Sequence, residues 1–147
     1  MTETITSEEY RALAELRYRI RLFLREGDAT AHAQGLETQQ YQMLLAIRGL
    51  ENGELATIGK LAKKLAIKHH SAVELIDRLE KHGFVRRFRD KEDRRQVRVL
   101  LLPRGEKALA AVVKERISEL RASGAALAGA IQTLLKRDRV RTRTSAR

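Results

Sequence analysis

The chain has 147 residues, 43% apolar and 33% charged, with no Cys, no Trp and a net charge of +11. It is long enough for one compact domain with a core, and the lack of Cys excludes disulfides and thiol redox chemistry. No apolar run approaches the ~20 residues of a membrane span, and the start of the chain has no signal-peptide pattern, so a cytoplasmic protein with no membrane partner is expected. The positive charge is concentrated: residues 60–104 hold fourteen Lys and Arg against six Asp and Glu, and residues 136–147 hold six against one. Residues 1–35 hold five against six. Charge placed this way suits a polyanionic partner.

Residues 7–26 carry Leu13, Leu16, Ile20, Phe23 and Leu24 at spacings of three and four, the apolar stripe of a helix. The stretch GDATAHAQGL (27–36), small and polar with two glycines, reads as a loop. A second helix through QQYQMLLAIRGL is expected to be capped near Thr38 and to fade into the turn ENGE. Thr57 is placed to cap a third helix, IGKLAKKLA, with Ile58, Leu61 and Leu65 inward. The turn IKH leads to a fourth helix, HSAVELIDRLEKH, whose buried side is Ala72, Val73, Leu75, Ile76 and Leu79, with Gly83 at the left-handed cap position. FVRRFR (84–89) and QVRVLLL (96–102) alternate and are β-rich, which predicts a hairpin. Pro103 opens another helix with Leu109, Val112, Val113, Ile117 and Leu120 inward. Ser123-Gly124 is expected to interrupt it before a last helix, ALAGAIQTLLKR, and the tail RDRVRTRTSAR reads as disordered.

Two helices joined by a few residues and followed by a hairpin describe a winged helix-turn-helix, mainly α with a small β wing. The fourth helix has an apolar back and a polar front of His70, Ser71, Glu74, Asp77, Arg78 and Lys81, suited to a DNA major groove. His69, at its start, and Arg98, on the hairpin, join these as candidate DNA contacts. The densest charge, RDKEDRR (89–95), lies at the hairpin tip, where Arg94 and Arg95 can reach a neighbouring minor groove. Asp90 and Asp93 are unsuited to touch DNA. They can cap turn amides and hold an arginine in place, with Asp93 orienting and Arg95 reaching out. The plainer alternative is a solvated turn that only guards an edge strand.

Residues 61–109, LAKKLAIKHHSAVELIDRLEKHGFVRRFRDKEDRRQVRVLLLPRGEKAL, resemble the core of the MarR family of transcriptional regulators. The pieces that carry the likeness are LAKKLAI, the DRLEKHGFVRR helix-to-strand junction, the DxxDRR wing and LLLPRGEKAL. The flanks, QQYQMLLAI among them, extend it over roughly residues 8–138. The resemblance implies a MarR-like homodimer with interlocked terminal helices. It also implies two winged lobes on a pseudo-palindromic double-stranded operator, and release by a small lipophilic or aromatic effector. By position, Arg95 falls on the family's wing-tip arginine, Asp93 on the acid that braces it, and Ser71 among the base-contacting residues. Glu74 departs from the basic or small polar residue frequent there, so no operator sequence carries over. The absence of Cys excludes the peroxide-sensing branch.

The expected organisation is a dimerisation helix over 1–35, a DNA-binding lobe over 36–104, C-terminal dimerisation helices over 105–138 and a basic disordered tail over 139–147. The first and last helices carry stripes that one small lobe cannot cover, which predicts Leu13, Leu16 and Ile20 packing against Leu127, Ile131 and Leu134 of a second copy. Phe23 and Tyr41 are candidate effector-pocket walls, although an aromatic at helical spacing equally suits a core. His32, His69, His70 and His82 include no HxxxH or HExxH pair, so no metal is expected. No catalytic motif and no cofactor site is found, and the chain reads as a non-enzymatic, ligand-responsive repressor. The alternative is a constitutive activator or architectural DNA-binding protein without an effector.

Overall fold

The computed structural model describes the backbone of residues 4–144 and the side chains of residues 4–136. Its elements are α1 (Ser7–Ala33), α2 (Thr38–Arg48), α3 (Ile58–Leu65), α4 (His69–Lys81), β1 (Val85–Arg89), β2 (Val97–Leu101) and α5 (Pro103–Thr144). This is a mostly helical chain with one antiparallel hairpin, arranged in the order of a winged helix-turn-helix. The chain divides into two compact units, residues 28–114 and residues 1–27 with 115–147.

Residues 28–114 have a continuous core. Leu36, Met43, Leu44, Leu61, Leu75, Ile76, Leu79, Val85, Val99, Leu109 and Val112 are all buried in one cluster. Local chemistry sets the element ends. Thr57 caps α3 through its hydroxyl, which accepts from the Lys60 N–H at 3.3 Å. The N-cap of the second helix is Glu37, one residue before the expected Thr38, with the Glu37 N–H donating to Gln40 Oε1 at 3.0 Å. Gly83 takes φ +74, and the Phe84 N–H then reaches back to the Leu79 carbonyl at 3.0 Å, closing α4. The hairpin register runs from Val85↔Leu101 to Arg89↔Val97. The outer edge of β2 is covered: Thr57 bridges Arg98, and the Val99 N–H donates to the Ala56 carbonyl at 2.9 Å. At the start of α5 the Leu102 N–H donates to the Phe84 carbonyl at 2.9 Å, and Gly105 lies against that same carbonyl.

Residues 1–27 with 115–147 differ in kind, because few of their described side chains are buried. Ala12, Ala130 and Arg116 are, but Leu13, Ile20, Leu24, Ile117, Leu120, Ile131 and Leu135 are between 40% and 60% exposed. Ile117 and Leu120 were expected inward; this unit has too little chain to cover its own stripes. Arg116 is buried over the face of Phe23, 4.3 Å from the ring centre, with its guanidinium donating to the Phe23 carbonyl and pairing with Glu119.

The two long helices correct the expected breaks. α1 continues through the supposed loop to Ala33, and Gly27 lies within it because a Cβ there would meet the Arg116 guanidinium at 3.2 Å. The turn that closes the helix after Ala33 is made by Gly35, φ +78. α5 passes through Ser123-Gly124 without interruption: the Ser123 hydroxyl bonds back to the Glu119 carbonyl at 2.9 Å, and Leu120 fills the space beside Gly124. α5 is helical to Thr144. The expectation of a disordered basic tail bears on residues 139–147, whose side chains, and residues 145–147 altogether, lie outside the described residues. No helix among the described residues is long and apolar enough to cross a membrane.

Candidate nucleic-acid interface

Helix α4 and the hairpin belong to the same unit, and their polar faces form the candidate site. Burying Ala72, Leu75, Ile76 and Leu79 turns the opposite face of α4 outward. On it His69, His70, Glu74, Arg78 and Lys81 are exposed and Ser71 is half-buried, as the spacing requires. Glu74 and Arg78 are one turn apart, yet no ion pair joins them among the described residues. Glu74 therefore stands as a bare carboxylate on a face otherwise basic or neutral. His82 lies off this face, stacked on Phe84 with ring centres 5.8 Å apart.

The hairpin tip is a hydrogen-bonded device. Asp90 Oδ1 accepts from the Glu92 N–H and Asp93 Oδ1 from the Arg95 N–H, both at 3.1 Å. The Gln96 N–H closes onto the Asp93 carbonyl at 3.0 Å, and the Arg89 guanidinium donates to the Arg94 carbonyl at 3.1 Å. The side chains of Arg94 and Arg95 are left exposed at the tip. Asp93 thus acts on the backbone beneath Arg95; it does not grip its guanidinium.

Arg98 is placed differently from the tip arginines. Its guanidinium pairs with Asp90, which is only 15% exposed in its side chain, and its Nε is buried with no partner. That pair ties the base of the turn to β2, so Arg98 sits inside the wing as a brace, where sequence reading had placed it among the outward contacts. The carboxylate of Asp90 thus holds Arg98 and neither of the tip arginines.

The residue that sequence reading missed is Arg87. Its guanidinium pairs with Asp77 and lies 3.3 Å from Glu80 Oε1, and its own N–H donates to Glu80 Oε2 at 2.8 Å. Partial burial works against the charge, but Asp77 and Glu80 outweigh it and hold the guanidinium above the ordinary arginine value. Asp77, read as part of the polar front, is therefore turned toward β1.

Two hollows bear on a small ligand. A groove of about 380 Å³ is lined by Ile58, Arg87, Phe88, Arg89 and Val97. A cleft of about 70 Å³ is lined by Phe23 with Arg19, Leu22, Glu26, Leu120 and Leu127. Phe23 thus lines the smaller hollow, while Tyr41 packs against the core of residues 28–114. Among the described residues no group of three His, Asp or Glu is placed to hold a metal ion.

The model of the MarR family matches residues 37–97, which span α2 to the first residue of β2. The chain is 42% identical over 65 residues to YsmB of Bacillus subtilis (strain 168), an uncharacterised helix-turn-helix-type transcriptional regulator, covering 44% of each chain. It is 32% identical over 65 residues to the helix-turn-helix-type transcriptional regulator SarZ of Staphylococcus haemolyticus, again 44% of each. These matches span less than half the length of either relative. Among solved structures, a MarR family protein from Bacillus stearothermophilus superposes with a TM-score of 0.70 at 23% identity, covering 97% of this chain and 99% of that one. A mutant of S. aureus MepR bound to an oligodeoxyribonucleotide superposes with a TM-score of 0.63 at 18% identity, covering 98% and 100%. Residues 37–97 are a MarR-family domain, and the chain has the winged-helix fold of the MarR-family regulators.

Proposed function

We propose that this protein is a homodimeric, DNA-binding transcriptional repressor that reads a pseudo-palindromic operator. The observation that carries the reading is the shared outward face of α4 and the wing. His70, Ser71, Glu74, Arg78 and Lys81 line a helix of groove-fitting size, and Arg94 and Arg95 project from a turn whose carboxylates are used to build it. The solved relative with an oligodeoxyribonucleotide bound supports it by analogy of fold. In this reading α4 enters the major groove and Arg94 and Arg95 the adjacent minor groove.

The dimer is supported by the exposed stripes of residues 1–27 and 115–147, where Leu13, Ile20, Leu24, Ile131 and Leu135 lack cover. A two-fold dimer would set two α4 helices about 34 Å apart, one turn of DNA. A ligand-responsive regulator is supported by the groove of about 380 Å³, a size that admits an aromatic or lipophilic anion beside Phe88 and Arg89. Phe23 supports the constitutive alternative instead, because its cleft of about 70 Å³ is too small for such a molecule.

Selection of bound duplexes from a random pool at near-physiological salt tests the central claim. A two-fold-symmetric motif is expected; recovery of no motif, with binding insensitive to salt, would overturn it. A monomeric mass by light scattering at micromolar concentration would refute the dimer. A screen of aromatic acids that shifts neither melting temperature nor DNA affinity would decide for the constitutive regulator.

A further inference from the structure

We infer that Arg87 is a positioning residue for DNA binding: it locks α4 to the wing and offsets part of the charge of two carboxylates of the helix proposed to enter the groove. The inference rests on the DNA-binding reading above and extends it to a residue off the outward face.

The geometry begins with the hairpin. Because the Val99 N–H points away from β1 to the Ala56 carbonyl, Val99 and its partner Arg87 form a pair that exchanges no hydrogen bonds. The Arg87 N–H must then face the open edge of β1, and there Glu80 accepts it at 2.8 Å. The same side of β1 carries the Arg87 guanidinium to Asp77 and to the second oxygen of Glu80. One residue of the wing therefore holds two residues of α4, through main chain and side chain together. The three side chains keep only 30%, 43% and 37% of their exposure for Arg87, Asp77 and Glu80.

Two consequences follow for a helix that must approach phosphates. First, Asp77 and Glu80 lie on α4 with Glu74, Arg78 and Lys81, and without Arg87 both would add their charge to that of Glu74. Two carboxylates near a phosphate repel it by an amount that decides affinity even at high effective dielectric. Second, the bond from Glu80 to the β1 main chain leaves the wing little freedom to rotate about the short Gly83-Phe84 link. The tip arginines and the helix then meet the duplex as one pre-set body, so less ordering is needed on binding.

The test uses the full chain and a labelled random-sequence duplex of about 30 base pairs, roughly three helical turns, at about 50 mM salt. Arg87→Gln is expected to weaken binding about tenfold by freeing the two carboxylates. Adding Asp77→Asn and Glu80→Gln to it is expected to bring affinity back at least to that of the wild type, because the three changes together remove one positive and two negative charges. If Arg87 touched a phosphate itself, the triple variant would bind more weakly than an Asp77→Asn, Glu80→Gln double variant by as much as Arg87→Gln weakens the wild type, and the salt dependence would lose about one unit of slope; that result overturns the inference. Arg87→Lys keeps a cation and guards against a Gln variant that fails to fold. It is expected to bind within about threefold of wild type, and a Lys variant tenfold weaker overturns the neutralising role. A lowered melting temperature with unchanged affinity for Arg87→Gln would leave only a structural role and overturn the inference as well. If the wild-type chain shows no salt-dependent binding to the duplex, the DNA-binding reading fails and this inference falls with it, a result distinct from intact wild-type binding that Arg87 does not influence.

Discussion

Gly105 is the position where the fold tolerates least. A Cβ built there would sit 2.3 Å from the Phe84 carbonyl oxygen and 3.0 Å from Leu101 Cδ1, where ordinary contact begins at 3.4 Å. Relieving it requires a backbone shift of about 1 Å, since the obstructing atom belongs to the main chain. That carbonyl is itself engaged, accepting the Leu102 N–H at 2.9 Å. Overpacking costs about 1–3 kcal/mol, and weakening the bond adds about 1 kcal/mol. Against this, alanine gains about 1 kcal/mol over glycine inside a helix. The net expectation for Gly105→Ala is about 2 kcal/mol of destabilisation, or a melting point lower by about 8 °C. Gly59→Ala in α3 is the control: nothing lies within 4 Å of its Cβ position, so only the helix gain applies and stability should rise by up to about 1 kcal/mol. Urea melts of both variants at one protein concentration read the two signs directly. If Gly105→Ala matches the wild type or exceeds it, the seat of α5 on the Phe84 carbonyl does not constrain the junction.

Arg95→Ala should cost about 1–3 kcal/mol of DNA affinity by removing a minor-groove contact. Asp93→Ala should also weaken binding, although it removes a negative charge, because the Arg95 N–H loses its acceptor; tighter binding by an intact fold would show that the acid is only solvated. Glu74→Gln should strengthen binding to random DNA while narrowing the gap to the operator. Since Glu74 has no ion pair with Arg78, the loss should concentrate at one base pair per half-site, as cytosine readout requires; an unchanged ratio would mean that Glu74 does not face the groove. Asp90→Ala should destabilise the fold by about 1–3 kcal/mol, because it leaves Arg98 half-buried with its partner removed. Asp90→Ala with Arg98→Met should recover most of that in the same urea melts, and a double variant no more stable than the single one would refute the pairing.

Where local chemistry decides an element, the sequence showed it. The cap at Thr57, the apolar back of α4, the left-handed Gly83 and the start at Pro103 are each set by residues within a few positions of one another. The breaks that did not occur were set from far away. Gly27 looks like a helix breaker until Arg116, 89 positions along the chain, is seen to need the space. Ser123-Gly124 looks like a stop until Leu120 packs over it. The candidate site divides in the same way. The outward face of α4 follows from its 3.6-residue period, but the arginines of the hairpin are alike in composition and differ only in what they meet. A signal for Arg87 was present: alternation in FVRRFR puts it on the same side as buried Val85, and an arginine turned inward beside the acids of DRLE calls for a partner. Arg98 is harder to find, because Asp90 is paired with it across the hairpin turn.

Between α3 and α4 the chain turns through Ala66, the one non-glycine residue with positive φ among the described residues, at φ 54 and ψ 43. A methyl group in that conformation costs about 1–2 kcal/mol in the folded state. Glycine would remove that strain, but it would also free the unfolded chain, which costs about 0.4–1 kcal/mol in return. The two effects oppose each other and leave glycine the more stable by about 1 kcal/mol, so Ala66 does not serve stability. It governs stiffness instead: an alanine confined to a small left-handed well holds the angle between α3 and α4 in a narrow range, whereas glycine would let it swing. The tolerance with which α4 is aimed is thus adjustable by one methyl group, at a change in stability of only about 1 kcal/mol.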